Sequence, residues 1–254
     1  MSKFERHKFV FICGVHRSGT SLLFKCLRDH PEISGFEETG VPEDEGQHLQ
    51  TVFKPASAYG GWGQFGLNKN AYLDERSPLV CDRNREKLLS EWQSFWDMEQ
   101  PILLEKSPPN LIRMRFLQAM FPNSYFIVLK RHPIAVSYAT QKVSKKGLYS
   151  LIEHWLVCYE AAIADLEKLD NVMTLRYEDF VNSPNKTLSE IYQFLNVAFS
   201  ATDEEIRSNV NEKYLQRWEE REQNWLLKKY GGMMENRLES RVNQLGYSLV
   251  DIRK

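Results

Sequence analysis

Apolar residues along the chain fall into two periodicities. Short unbroken runs at Phe9–Cys13, Ile102–Leu104, Tyr125–Leu129 and Val172–Leu175 have the length and aliphatic or aromatic content of strands buried on both faces. Between them, apolar positions recur every three or four residues, notably over Arg83–Trp96, Leu111–Met120 and Leu151–Leu169, which predicts helices with one buried stripe. This alternation predicts an α/β fold: a central, mostly parallel sheet flanked by helices. The first strand runs into Gly14-Val15-His16-Arg17-Ser18-Gly19-Thr20-Ser21 and a helical start over Thr20–Leu27, so the chain opens as strand, loop and helix. Neither period holds between Lys54 and Ser77, where "YGGWGQFG" concentrates glycine and aromatic residues; this segment reads as a long loop forming a rim over a site. After Leu195 the pattern is helical and heavily charged, and "EEREQNWLLKKYGGMMENRLESR" predicts surface helices or a lid, broken at Gly231-Gly232. With 254 residues and no compositional break, one domain is expected over 1–254, helical from about residue 200.

Charge narrows the picture. The chain carries 33 Lys and Arg against 34 Asp and Glu, so no field of one sign steers the whole protein toward nucleic acid or an anionic membrane, and any anion site must be local. Cys13, Cys26, Cys81 and Cys158 lie far apart without metal-ligand spacing, which predicts reduced, mostly buried thiols. The N-terminal residues lack an apolar signal core, and no run reaches the roughly 18 apolar residues of a membrane span. A soluble, cytoplasmic protein is the expectation.

The candidate chemistry begins at the first loop. Its glycine spacing is that of a phosphate-cradling P-loop, in which successive N–H groups and a helix N-terminus face an anion. Thr20, however, stands where nucleoside triphosphatases place the lysine that reaches the β- and γ-phosphates. Arg17, Ser18, Thr20 and Ser21 instead supply a guanidinium and three hydroxyls, a donor set for a compact tetrahedral oxyanion held without a metal. "GVHRSGTSLL" resembles the 5′-phosphosulfate loop of the sulfotransferase superfamily, enzymes that use 3′-phosphoadenosine 5′-phosphosulfate (PAPS). Further segments agree in the order of that superfamily. Lys130-Arg131-His132-Pro133 after a strand is similar to its 3′-phosphate motif, which implies Arg131 and Ser137 as ligands, with Thr140 as the rival to Ser137 because the arginine-to-serine gap is two residues short. "TLRYEDFVNSP" is similar to the segment whose tyrosine contacts the nucleotide, implying that role for Tyr177, and "KYLQRW" stands where a C-terminal cosubstrate loop is expected, implying Lys213. His16, Gly19 and the loop hydroxyls complete the implied cosubstrate site. The resemblance spans about Lys8 to Trp218.

The segment "DHPEISGFEETGVPED" resembles the tyrosylprotein sulfotransferase branch, in which the second glutamate of the pair is the base; that implies Glu38, with Glu37, Glu43, Asp44 and Glu45 beside it. "EKSPP" after a strand resembles the segment that provides an active-site lysine, implying that Lys106 and Arg17 stabilise the departing bridging oxygen. His16, His30 and His132 match less well, although phenol and steroid sulfotransferases use a histidine base. The implied reaction moves the sulfuryl group from PAPS to an acceptor hydroxyl, a tyrosine or other phenol in a small molecule or peptide, and releases adenosine 3′,5′-bisphosphate (PAP). A P-loop nucleotide kinase and a catalytically inactive PAP-binding module are the alternatives.

Overall fold

The computed structural model describes residues 6–253. Five strands, β1 (Lys8–Cys13), β2 (Ile33–Gly35), β3 (Ile102–Lys106), β4 (Ser124–Lys130) and β5 (Val172–Arg176), form one parallel sheet in the order β2-β3-β1-β4-β5. β1 lies at the centre because both its faces are apolar: Phe9 to Cys13 are fully buried between β3 and β4, with Ile12 opposite both Lys106 and Ile127. An aromatic layer covers one region of the sheet, with Phe9 stacked on Phe121 at 4.4 Å and Trp92 stacked on Phe121 at 5.9 Å.

The helices are α1 (Thr20–Arg28), α2 (Asp82–Trp92), α3 (Met114–Met120), α4 (Pro133–Ser144), α5 (Leu148–Leu166), α6 (Tyr177–Asn182), α7 (Pro184–Leu195), α8 (Glu212–Glu220) and α9 (Trp225–Gln244). The chain leaves β1 toward β2 on one side of the sheet, whereas it leaves β4 toward β5 on the other, so a crevice opens outside the carboxyl ends of the central strands. The residues following β1, β3 and β4 therefore meet there.

Beyond the four strands that the apolar runs predict, the sheet has a fifth, β2, whose three residues are too few to establish a period. One expectation needs correction. α9 runs unbroken through Gly231-Gly232. A glycine pair lowers helix stability by about 1 kcal/mol per residue without forbidding the helix, and at Gly231 a β-carbon would collide with the Arg221 guanidinium, whose partner Glu235 lies one turn further along α9. The rim segment has no long element, only three short 3₁₀ turns at Ala56–Tyr59, Phe65–Leu67 and Lys69–Ala71. All four cysteines are free, with Cys81 exposed and the others buried.

Candidate active site

The loop after β1 turns tightly into α1. Gly19 occupies the N-cap with φ +97°, and a β-carbon there would strike the Tyr177 ring, so only glycine fits the turn. No side chain caps α1, which leaves its first N–H groups open toward the crevice. Arg17 also has positive φ (+68°), and its exposed guanidinium lies over the Trp62 ring at 4.9 Å. Among the described residues six non-glycine positions have positive φ, and four of them, Arg17, Glu38, Glu43 and Asp44, belong to the two segments that build this site. Such conformations cost about 1–3 kcal/mol each and persist where the surroundings hold them.

A cleft of about 180 Å³ lies over the loop. It brings together His16, Arg17, Gly19, Thr20, Ser21 and Arg131 from the sequence reading, and adds Glu43, Glu45, Trp62 and Pro108. Trp62 stacks on His16 at 4.5 Å, which sets the aromatic rim directly over the anion loop. His16 is buried, and burial foremost, then the neighbouring His154, Lys106 and Arg17, pulls its pKa down to about 3; it is neutral at physiological pH. Ser18 takes no part in the cleft surface: it is fully buried and its hydroxyl donates to the Val15 carbonyl at 2.6 Å, closing the loop on itself.

Arg131 follows β4 and is buried against the Tyr177 ring at 4.3 Å. Its Nη1 donates to the Arg17 carbonyl and its Nε to Asn211 Oδ1, both at 2.8 Å, while Nη2 has no partner among the described residues. The hydroxyls of Ser137 and Thr140, three residues apart on α4, are likewise buried without a partner. Buried donors are ordinarily satisfied, so unmatched ones suit a ligand bearing many acceptor oxygens. Of these residues Arg131 lines the cleft, whereas Ser137 and Thr140 lie outside its wall. Lys213 is exposed on α8 and outside the cleft wall; the residue that reaches Arg131 is Asn211, two positions before the predicted segment, which also donates to Glu178 Oε1 at 2.7 Å. Glu178 in turn accepts from the His132 N–H at 3.0 Å and the Tyr247 hydroxyl at 2.9 Å, so the residue after Tyr177 ties together the end of β4, the approach to α8 and the C-terminal segment.

Lys106, at the end of β3, is buried, and its Nζ donates to Glu45 Oε1 and to the Glu43 carbonyl, each at 3.1 Å. The acidic segment that holds these acceptors is itself anchored: Gly46 N–H donates to Glu105 at 2.9 Å, Gln47 N–H to Ser107 Oγ at 3.0 Å, and Trp92 Nε1 to the Gly46 carbonyl at 2.9 Å. Burial raises the Glu105 carboxyl to about 7 against the hydrogen bonds from Ser107 and Asn110. Glu105, Asn211 and Glu178 were missed as site-builders because each acts on a residue distant in sequence.

Glu38 is exposed on the turn after β2 with φ +49°, and it is not part of the cleft wall. The turn closes on itself, with Thr39 N–H and Oγ1 donating to Asp44 at 2.9 and 2.6 Å, so Glu38 and Glu43 are carried on one loop. Glu43 accepts from Ser21 Oγ at 3.1 Å, and Glu37 is paired with Arg28 at 2.9 Å.

A family model described as the sulfotransferase family matches residues 10–201, which include the anion loop, the acidic turn, Lys106, Arg131 and Tyr177. The chain belongs to this family. Among similar sequences, protein-tyrosine sulfotransferase 2 of Gallus gallus is 28% identical over 210 residues, covering 76% of this chain and 52% of that protein. Protein-tyrosine sulfotransferase 1 of Danio rerio is 28% identical over 199 residues, covering 75% and 54%. The chain thus spans about half the length of these curated relatives. Among solved structures, the sulfotransferase domain of the Synechococcus PCC 7002 olefin synthase superimposes with a TM-score of 0.55 at 19% identity over 82% of this chain and 87% of that one. The sulfotransferase domain from the curacin biosynthetic pathway gives 0.50 at 21% identity, covering 76% and 75%. Both likenesses are of the fold.

Proposed function

We propose that this protein transfers the sulfuryl group of PAPS to an acceptor hydroxyl, a phenol or tyrosine side chain first of all, and releases PAP. The observation that carries the reading is the cleft in which an uncapped helix N-terminus, Thr20, Ser21 and Arg131, whose Nη2 has no partner among the described residues, line one small space. These groups suit an anion with several acceptor oxygens. In this reading the first loop holds the 5′-phosphosulfate, while Arg131, with Ser137 or Thr140, holds the 3′-phosphate, and Tyr177 lies beside the nucleotide. Lys106 and Arg17 supply the positive charge that the departing bridging oxygen requires. Lys106 reaches it by exchanging its bonds to Glu45 and the Glu43 carbonyl. The base that accepts the acceptor proton is Glu38, on the turn it shares with Glu43. The names of the curated relatives support a tyrosine acceptor.

Calorimetric titration with PAP tests the nucleotide assignment. Arg131→Ala should weaken binding by about 1.5–3 kcal/mol, the worth of hydrogen bonds to a charged group, and wild-type affinity in this variant would remove Arg131 from the site. Transfer of labelled sulfate from PAPS to a tyrosine peptide should survive EDTA, since the loop has no lysine-and-magnesium arrangement of the triphosphatase kind. Activity lost on chelation and restored by magnesium would contradict this.

A further inference from the structure

The N-terminal half of α9 exposes an unusual amount of apolar surface. Ten large hydrophobic side chains are exposed among the described residues, and five of them, Trp225 (72%), Leu226 (56%), Leu227 (51%), Tyr230 (37%) and Met233 (38%), lie within nine positions of this helix. The junction of α4 and α5 sits against the same half-helix: at the start of α5 Tyr149 N–H donates to Tyr230 Oη at 3.4 Å, and at the end of α4 Val143 adds a sixth exposed apolar side chain at 49%. An apolar groove of about 510 Å³ runs between the two, walled by Leu148, Leu227, Tyr230 and Met234.

Charge is one-sided within the two segments that carry these apolar side chains. The segment 141–150, "QKVSKKGLYS", holds three lysines and no carboxylate, and 225–234, "WLLKKYGGMM", holds two lysines and no carboxylate, in a chain whose formal net charge is only −1. The bordering carboxylate Glu235 is bound to Arg221, and Glu220 in the groove wall stands beside Arg217 and Arg221. Aliphatic side chains with tryptophan and tyrosine, next to the exposed Lys145, Lys146 and Lys229, match the chemistry of an anionic bilayer surface: rings and aliphatic groups enter the headgroup boundary while ammonium groups meet lipid phosphates and carboxylates. A soluble polyanion would engage the lysines and leave Trp225, Leu226 and Leu227 in water. No helix among the described residues is long and apolar enough to cross a membrane.

We propose that the N-terminal half of α9 and the adjoining α4–α5 loop form a docking surface for an anionic lipid bilayer. The surface is independent of the sulfuryl-transfer reading. Vesicle co-sedimentation of the full chain tests it, with phosphatidylcholine alone and phosphatidylcholine mixed with phosphatidylserine. The wild-type protein should partition onto mixed vesicles, ignore neutral ones and be released by salt. The double variant Trp225→Ser/Leu226→Ser removes two exposed side chains and should lower partitioning about tenfold or more. Lys145→Gln and Lys146→Gln should each lower it roughly fivefold, the usual worth of one lysine near such a surface. Circular dichroism and the melting temperature, unchanged in these variants, separate lost docking from lost folding. Three results would overturn the proposal: no partitioning onto either vesicle, equal partitioning of wild type and the double variant, or binding to heparin with none to vesicles. Sedimentation equilibrium provides the remaining contrary outcome, a wild-type dimer that the double variant dissociates, which would make the patch a self-association face.

Discussion

At the scale of single residues, the acidic turn offers the sharpest test of the chemistry. Glu38 and Glu43 ride on one closed turn, yet Glu43 is held by Ser21 in the cleft wall while Glu38 is exposed. Open geometry in a ligand-free site does not disqualify a base, because the bonds that matter form with the acceptor. Glu38→Gln keeps size and hydrogen bonding but cannot take a proton, so kcat should fall by roughly 10²–10⁴-fold, the range of general-base catalysis. Glu43→Gln should cost less, and PAP affinity should hardly change in Glu38→Gln. Steady-state kinetics on an unactivated phenol reads both; a larger loss from Glu43→Gln would transfer the role to the residue that lines the cleft. Glu38 and Lys106 were legible as motif residues, whereas the Glu45 carboxylate that holds Lys106 stood among five acidic side chains that nothing local tells apart.

At the scale of elements, the rim over the anion loop is braced by a residue that no motif flags. Arg113 is almost wholly buried; its Nε donates to the Ala71 carbonyl at 3.0 Å and its Nη2 to the Lys54 carbonyl at 3.1 Å, so one guanidinium holds both ends of the rim segment. It also lies over the rings of Phe53 and Tyr59 at 5.1 and 5.8 Å, and burial lowers its pKa to about 10, leaving it charged near neutrality. Arg113→Met should destabilise the protein by about 2–4 kcal/mol in urea unfolding, the range for losing charged hydrogen bonds and stranding buried carbonyls. Because the rim carries Trp62 over His16, KM for the acceptor should rise as well. An unchanged urea midpoint would show that the rim is held by its own short turns. The aromatic content of this segment was visible along the chain, but its brace lies more than forty residues further on, beyond any local pattern.

At the scale of the whole molecule, buried titratable groups set the pH response. Burial, foremost, lowers His16 and His154 to about 3 and His132 to about 4, well under the free value of about 6.5. Each therefore binds its proton more readily in the unfolded chain, so the stability it contributes is full above pH 6.5 and is lost as pH falls toward its folded pKa. Glu105, raised to about 7, acts oppositely: its folded form keeps a proton that the unfolded chain releases, so stability declines as pH rises through 4.5 to 7. Three histidines outweigh one carboxyl, and unfolding near pH 5.5 takes up a net two protons from these groups, a slope of roughly 2.7 kcal/mol per pH unit. Urea titrations from pH 5 to 8 should show stability rising steeply to about pH 6.5 and flattening above it. In His154→Phe the slope should drop by about one proton's worth, roughly 1.4 kcal/mol per unit; an unaltered slope would mean that His154 is not buried in neutral form.

The alternation of buried strands and one-sided helices was legible along the chain, because apolar periodicity records burial residue by residue, and so was the Gly14–Ser21 loop, because a tight turn and a dense donor set are local properties. It also carried Arg131 and Tyr177 as motif residues, each within a recognisable strand-and-turn context. Long-range packing selects which groups are left without partners and which carboxylate meets which cation. Asn211 rather than Lys213 reaches Arg131, Glu45 rather than its neighbours pairs with Lys106, and Ser18 spends its hydroxyl inside the loop. α9 likewise passes through its two glycines because Arg221, from a separate turn, occupies the space beside Gly231. These outcomes depend on distances between segments separated by tens of residues, and the chemical identity of a side chain does not encode them until the sheet and its loops fix those distances.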